Sequence, residues 1–125
     1  VRRVDNNPDI FKVFYDNGNP YSIIHTKDGA YHRDPKEGPA IEYFYESGQI
    51  KSQGFYVHGE AHRDPKDGPD YTSFFPNGQV MHRTFSTYNR LHRDVNDGPA
   101  VEWYDEDGNL VNKDYWVNGE IIEGR

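Results

Sequence analysis

The segment His-Arg-Asp-x-x-(Asp/Glu)-Gly-Pro occurs at His32 to Pro39, at His62 to Pro69 and again at His92 to Pro99, each copy 30 residues after the last. A residue used once for chemistry has no reason to recur in register. A unit stacked on copies of itself repeats every residue that makes a turn or a contact. Of the 12 glycines, 10 keep the same clock: Gly18, Gly48, Gly78 and Gly108; Gly38, Gly68 and Gly98; Gly29, Gly59 and Gly119. Phe14, Phe44, Phe74 and Tyr104 form one aromatic column, and His25, Phe55, Phe85 and Tyr115 a second. The chain therefore reads as a single repeat domain over 1-125, with units at approximately 2-31, 32-61, 62-91 and 92-121. The first is degenerate upstream of Phe11, with Arg2 and Arg3 in place of His-Arg and Pro8 in place of glycine. Terminal units of an array are often atypical because one side has no neighbour.

The second unit is the best formed. Ala40 to Tyr45 is β-branched and aromatic, Glu46-Ser47-Gly48-Gln49 is a turn, and Ile50 to Val57 reads as a return strand. His58-Gly59 turns the chain again, and its counterpart Asn118-Gly119 favours a type I′ hairpin. A short strand through Ala61-His62-Arg63 follows, and Asp64 to Pro69 turns into the next unit. No apolar stripe of period 3.6 exists, so the expected fold is all-β: an elongated antiparallel β-hairpin array. Eight long strands at about 4.8 Å spacing would make a sheet roughly 40 Å long. Period-2 alternation puts Ile41, Tyr43 and Tyr45 on one face and Glu42 and Phe44 on the other.

Composition narrows the function. Aliphatic residues are scarce and the apolar content is carried by 10 Tyr, 7 Phe and 2 Trp. A formal charge of −7 argues against nucleic acid and anionic lipid, which need a cationic surface. Joint protonation of His32, His62 and His92 would reduce that charge in acid. Cysteine is absent, which removes disulfides and thiolate metal sites. No apolar run reaches the length of a membrane span and no signal peptide is visible, so a soluble protein is expected. The start at Val1 implies a removed initiator methionine or a fragment. Ile122-Glu123-Gly124-Arg125 matches a tag-removing protease sequence and stands where the register calls for His-Arg-Asp, so 122-125 are set aside as a candidate remnant of processing.

The pattern (Tyr/Phe)-x-x-x-Gly-x-x-x-x-x-x-(Phe/Tyr)-x-x-x-Gly-Glu, as in Phe44 to Glu60 and Tyr104 to Glu120, resembles the variant MORN repeat of bacterial antitoxin-like repeat proteins. The linking His-Arg-Asp-x-x-x-Gly-Pro-Ala looks like the version found in proteins of large bacteriophages and giant viruses. The likeness covers about residues 11 to 120 and implies a β-hairpin array that serves as a scaffold or binding surface, without naming a ligand. The third unit departs most, with Pro76 for an acidic residue, Asn89 for glycine and Ser86 for an aromatic.

His-Arg-Asp invites comparison with a kinase catalytic loop, but the Asn, phosphate loop and strand lysine of that chemistry are not placed here. The structural alternative pairs Arg33, Arg63 and Arg93 with Asp34, Asp64 and Asp94, or with Glu37, Asp67 and Asp97, as an ionic ladder that includes His32, His62 and His92. Histidines one unit apart lie roughly 14 Å apart at sheet spacing, too far to share an ion. Asp105 to Asn109 looks faintly like a calcium loop but misplaces the first and last ligands, and reads better as a turn. His25, His58 and His82 stand where sister units carry other residues, and nothing forms a nucleophile elbow. Neither a catalytic residue, a metal site nor a cofactor is expected.

The aromatics are the exception. Tyr56, Trp116, Phe44, Phe74, Trp103 and Tyr104 either pack on the His-Arg-Asp turns as a substitute core or form a partner surface, with Tyr56 and Trp116 at its centre. The expectation is a non-enzymatic module of phage, viral or bacterial origin that binds and modulates a host protein carrying a basic surface. Its place would be the cytoplasm, that of the host if it is phage-derived, or a virion. A virion or assembly component and a carbohydrate-binding module with stacked rings are the rivals, and the oligomeric state is left open.

Overall fold

Alternating β-branched and aromatic residues between glycine turns leave the backbone one economical arrangement, a meander in which each strand pairs with the next. The computed structural model describes residues 2–7, as backbone, and 9–122. Its first unit holds β1 (Arg2–Asn7), β2 (Ile10–Phe14), β3 (Pro20–Lys27) and β4 (Ala30–Tyr31). The second holds β5 (Ile41–Phe44), β6 (Ile50–Gly54), β7 (Tyr56–Val57) and β8 (Glu60–Ala61), and the third β9 (Tyr71–Phe74), β10 (Val80–Thr84), β11 (Ser86–Thr87) and β12 (Arg90–Leu91). The fourth is β13 (Val101–Tyr104), β14 (Leu110–Val117) and β15 (Glu120–Ile122). One antiparallel sheet runs β1-β2-β3-β5-β6-β9-β10-β13-β14-β15, and no helix occurs among the described residues. The all-β hairpin array expected from the register is the observed fold. Pro8 and residues 123–125 lie outside the described residues, as do the side chains of Arg2 and Arg3, whereas Ile122 is in β15.

The turns repeat to the atom. Tyr45 N donates to Gln49 O and Gly48 N to Tyr45 O, and the same pair closes the turns after Tyr15, Phe75 and Asp105. Each return strand then carries a β-bulge, because Phe44 pairs with Ile50 while Tyr43 pairs with Ser52, leaving Lys51 extra. Tyr21, Met81 and Val111 are extra in the same way.

Beyond the bulge each return strand leaves the main ladder and turns through a second, smaller hairpin. These small hairpins form a row along one margin of the sheet, tied by Gly59 N to Tyr31 O, Asn89 N to Ala61 O and Gly119 N to Leu91 O, at 2.8–2.9 Å. Both residues of the Asn118-Gly119 turn have positive φ, 50° and 82°, as a type I′ hairpin requires. The third unit makes the same turn with Tyr88 and Asn89, and the Asn89 side chain accepts from Ala61 N at 2.7 Å. Two details differ from the expected unit. The return strand is interrupted at Phe55 and Phe85 in the inner units, and the short strand ends at Ala61, so that His62 and Arg63 are cross-links rather than strand.

Pairing register assigns the faces. One face carries the row Ser22, Tyr43, Ser52, Ser73, His82, Trp103, and the other the row Ile23, Glu42, Gln53, Thr72, Arg83, Glu102. The buried apolar residues are few: Ala40, Phe55, Phe85 and Ala100. They lie where the sheet meets the hairpin row and the His-Arg-Asp turns.

That junction is tight at Gly68, where φ is +140° and a Cβ would come within 2.6 Å of Arg63 Nη1. Gly18, at φ +90°, has nothing within 4 Å of the same position. Gly18→Ala should cost about 1 kcal/mol of backbone strain, whereas Gly68→Ala should cost that and displace Arg63 as well, for a total of roughly 2–4 kcal/mol. Urea midpoints of the two variants check the difference.

Candidate functional site

Each His-Arg-Asp turn lies between two small hairpins and touches both. The amide of Arg33 donates to Tyr56 O, that of Arg63 to Ser86 O and that of Arg93 to Trp116 O, while the His32, His62 and His92 amides donate back to His25, Phe55 and Phe85. The side chains then divide the work. Nδ1 of His32 accepts from His58 N at 3.0 Å, that of His62 from Tyr88 N at 3.2 Å and that of His92 from Asn118 N at 3.0 Å. The ring of His32 stacks on His58 at 4.3 Å and that of His62 on Tyr88 at 3.9 Å. An imidazole that accepts at Nδ1 is neutral there. The pKa of His32 is lowered, first by burial and then by the neighbouring His58.

The arginines do not pair with the adjacent aspartates. Nη1 of Arg33, Arg63 and Arg93 donates instead to the carbonyls of Pro39, Pro69 and Pro99, at 3.1–3.2 Å, and the planes of Arg63 and Arg93 lie 4.1 and 3.9 Å over the rings of Phe55 and Phe85. The aspartates are engaged locally: Oδ1 of Asp34, Asp64 and Asp94 accepts from the amide two residues on, at 2.9–3.0 Å. An ionic link between units does exist elsewhere, from Lys36 to Asp67 at 3.7 Å and from Lys66 to Asp97, both on the solvent side of the turns. The geometry replaces the expected Arg–Asp ladder because the i+2 amide is nearer to the carboxylate than any guanidinium.

A buried charge cluster sits on the sheet face beneath the turns. Glu102, nearly inaccessible, is bonded to Arg83 and lies 4.0 Å from Arg93 Nη1. Glu42, its sister, has a pKa raised by burial against the opposing pull of Arg33. Asp105 Oδ1 accepts from Asp107 N and Asn109 N, so the carboxylate considered for calcium is taken up by its own turn. Among the described residues no group of three or more His, Asp or Glu could hold a metal ion.

Sequence reasoning missed Asp70. It is 3% exposed, it occupies the position of Ala40 and Ala100, and its carboxylate accepts from Thr84 Oγ1 at 3.2 Å and from Ser86. Two neighbouring columns explain how it fits. In the second unit the ring of Tyr56 lies over Gly54, so close that a Cβ there would meet Cε1 at 2.9 Å. In the third unit Thr84 carries that Cβ, the ring is replaced by Ser86, and the Asp70 carboxylate is held by the two hydroxyls. Reading the columns 40/70/100, 54/84/114 and 56/86/116 together would have exposed the exchange.

The six aromatics proposed for a partner surface do not share one surface. Trp103 is 40% exposed and stacks on His82, with centroids 3.7 Å apart. Phe44, Phe74 and Tyr104 follow the bulge on the opposite face, where Arg83 approaches the Tyr104 ring at 6.0 Å. Tyr56 is engaged by Gly54 and by an edge contact with Tyr31 at 5.5 Å, and Trp116 is half-buried with a buried Nε1 that has no partner. Of the six only Trp103 is exposed, and other rings lie near it in the sheet. Tyr15, Tyr21 and Tyr43 form an edge-to-face chain at 5.3 and 6.0 Å, and Tyr71 meets His82 at 6.0 Å. Tyr21 joins this face because it is the extra residue of a bulge, which simple alternation does not anticipate.

Burial raises the Asp70 pKa from 3.8 to about 6. The protonated carboxyl therefore contributes stability that is fully present below pH 3.8 and is lost as pH rises through 6, up to roughly 3 kcal/mol. Asp70→Asn should keep the two hydroxyl contacts and remove this loss, raising the thermal midpoint at pH 7 while leaving it nearly unchanged at pH 4. Thermal unfolding of both proteins across that range is the check.

Three stretches of the chain, residues 10–28, 40–58 and 100–118, match the model of the MORN repeat variant. Neither a curated protein nor a solved structure matches the chain. Each matched stretch runs from the first strand of the main pair into the turn of the small hairpin, in the first, second and fourth units, and the copy left out is the one in which Thr84 and Ser86 stand. The protein is thus a β-hairpin array in which three of four units match the model of the MORN repeat variant.

Proposed function

We propose that this chain is a non-catalytic module that binds one protein partner through the aromatic face of its sheet. MORN repeats are generally structural modules or modules that bind proteins or membranes. The observation that carries the reading is the inequality of the two faces. One is crossed by the His-Arg-Asp turns and holds the arginine–glutamate cluster. The other leaves Tyr21 and Trp103 39% and 40% exposed beside the half-buried Tyr43 and His82. Tyr and Trp on such a face are the side chains that dominate protein interfaces. The histidines and arginines of the repeated motif tie turn and small hairpin together and the aspartates close their own turns, which supports a scaffold role for them rather than a catalytic one. The net charge of −7 favours a partner with a basic surface. On this reading the module works in a cytoplasm or on a virion, and a phage or viral protein that occupies a basic site on a host factor is its most specific form.

Immobilised protein carrying both Tyr43→Ala and Trp103→Ala should hold a purified natural partner well over tenfold more weakly, about 1.4 kcal/mol or more. Tyr88→Ala, at the tip of a small hairpin and 56% exposed, should bind normally. Equal binding by the folded double variant would refute this use of the face, and competition by a soluble sugar would favour a carbohydrate module.

A further inference from the structure

Between Tyr43 on β5 and His82 on β10 the register row passes through Ser52 and Ser73, so ring-bearing strands roughly 14 Å apart enclose a floor of two small residues. The result is a trough made of two adjoining hollows that share Lys51 and Ser52. Tyr21 and Tyr43 line the first, and Tyr71, Ser73 and the His82–Trp103 stack line the second. Its width suits a single extended polypeptide. The hydroxyls of Ser52 and Ser73 make no hydrogen bond within the described residues, so both are free to engage the backbone of an incoming chain.

Charge and ring chemistry narrow the occupant. The protein carries −7 overall, and carboxylates crowd the turns beyond the trough, at Glu46 and from Asp105 to Asp107. Elsewhere in the array cations are already seated on rings, and the closest are arginines. Arg63 and Arg93 stand 4.1 Å over Phe55 and 3.9 Å over Phe85, Arg83 stands 5.6 and 6.0 Å from Phe85 and Tyr104, and Lys51 and Lys113 remain 5.7 and 5.8 Å from Tyr45 and Tyr115. A guanidinium is planar and weakly hydrated, so it stacks on an aromatic wall where an ammonium keeps its water. Resting on the protein-binding reading above, we infer that the trough over Ser52 and Ser73 seats an extended, arginine-bearing segment of the partner, with guanidinium groups stacked on Tyr43 and Trp103. Lys51 is the cation among the lining residues and opposes this occupant.

The test titrates the full chain with a short oligoarginine peptide and with an oligolysine of equal length, at near-physiological salt, by calorimetry. Oligoarginine should bind at least about tenfold more tightly than oligolysine, since the two share charge and differ only in stacking. Trp103→Ala and Tyr43→Ala, which leave the net charge unchanged, should each erode that preference, and Lys51→Gln should strengthen binding of both peptides. Ser52→Arg, which fills the trough from within, should abolish the preference in a protein that keeps its β-sheet circular dichroism. Equal affinity for the two peptides, or a preference that survives every one of these substitutions, overturns the inference. If the preference is absent while Tyr43→Ala with Trp103→Ala still releases the natural partner, the arginine inference falls and the protein-binding reading stands. If the preference holds while that double variant still binds the partner, the trough takes arginine but the proposed use of this face is wrong.

Discussion

The array depends on a guanidinium placed where a larger protein would put aliphatic side chains. Arg63 and Arg93 each lie on the ring of the preceding unit, bond to the proline carbonyl that ends their own turn, and fill the space above a glycine. The amide of the same residue reaches the next small hairpin. One residue per unit therefore joins turn, ring and neighbour. With Ala40, Phe55, Phe85 and Ala100 as the buried hydrophobic residues among those described, such contacts between adjacent units carry the cohesion that a shared core supplies elsewhere.

This dependence explains which parts of the structure were legible in the residues. A 30-residue register of glycine, proline and ring positions contains the turn chemistry, and strand order follows because a meander has no other economical connection. The partner of each arginine was not legible. Adjacency in His-Arg-Asp suggests an ion pair, yet an aspartate that opens a turn is already bonded to the amide two residues later, and the arginine beside it turns inward. Alternation separated Phe44 from Tyr43 correctly but could not place Tyr21 or Lys51, because a bulge puts an extra residue into the strand. Asp70 escaped notice for another reason. Its burial becomes reasonable only when Thr84 and Ser86 are seen to replace a glycine and a ring, and that is a relation among three columns.

Two opposed titrations are built into the joints between units. Burial, and then the neighbouring His58, lowers the pKa of His32, whose Nδ1 accepts from the His58 amide, so acid works against this bond. Asp70 is favoured in its protonated form by burial, so acid works for it. His32 holds the small hairpin of the second unit, whereas Asp70 acts at the joint between the second and third units. Moderate acid therefore loosens the one contact and firms the other.

The same third unit shapes the aromatic face. Ser73 stands in the column of Tyr43 and Trp103, and its strand pairs with β6 directly across the joint at which Asp70 is buried, since Gly54 faces Tyr71. A ring at position 73 would close the trough. Its absence, together with the loss of the ring at position 86, concentrates the polar substitutions of the array in one place, beneath and beside the open floor. Departure from the repeat pattern thus has a local physical effect: it exchanges ring packing for a buried carboxyl held by hydroxyls, and it puts Ser73 beside Ser52 where the column of Tyr43 and Trp103 would place a ring. A uniform array would present the same surface at every unit, and a partner could slide along it by whole repeats. The single irregular unit supplies one distinguishable position, which is what a module built from copies needs in order to bind in a single register.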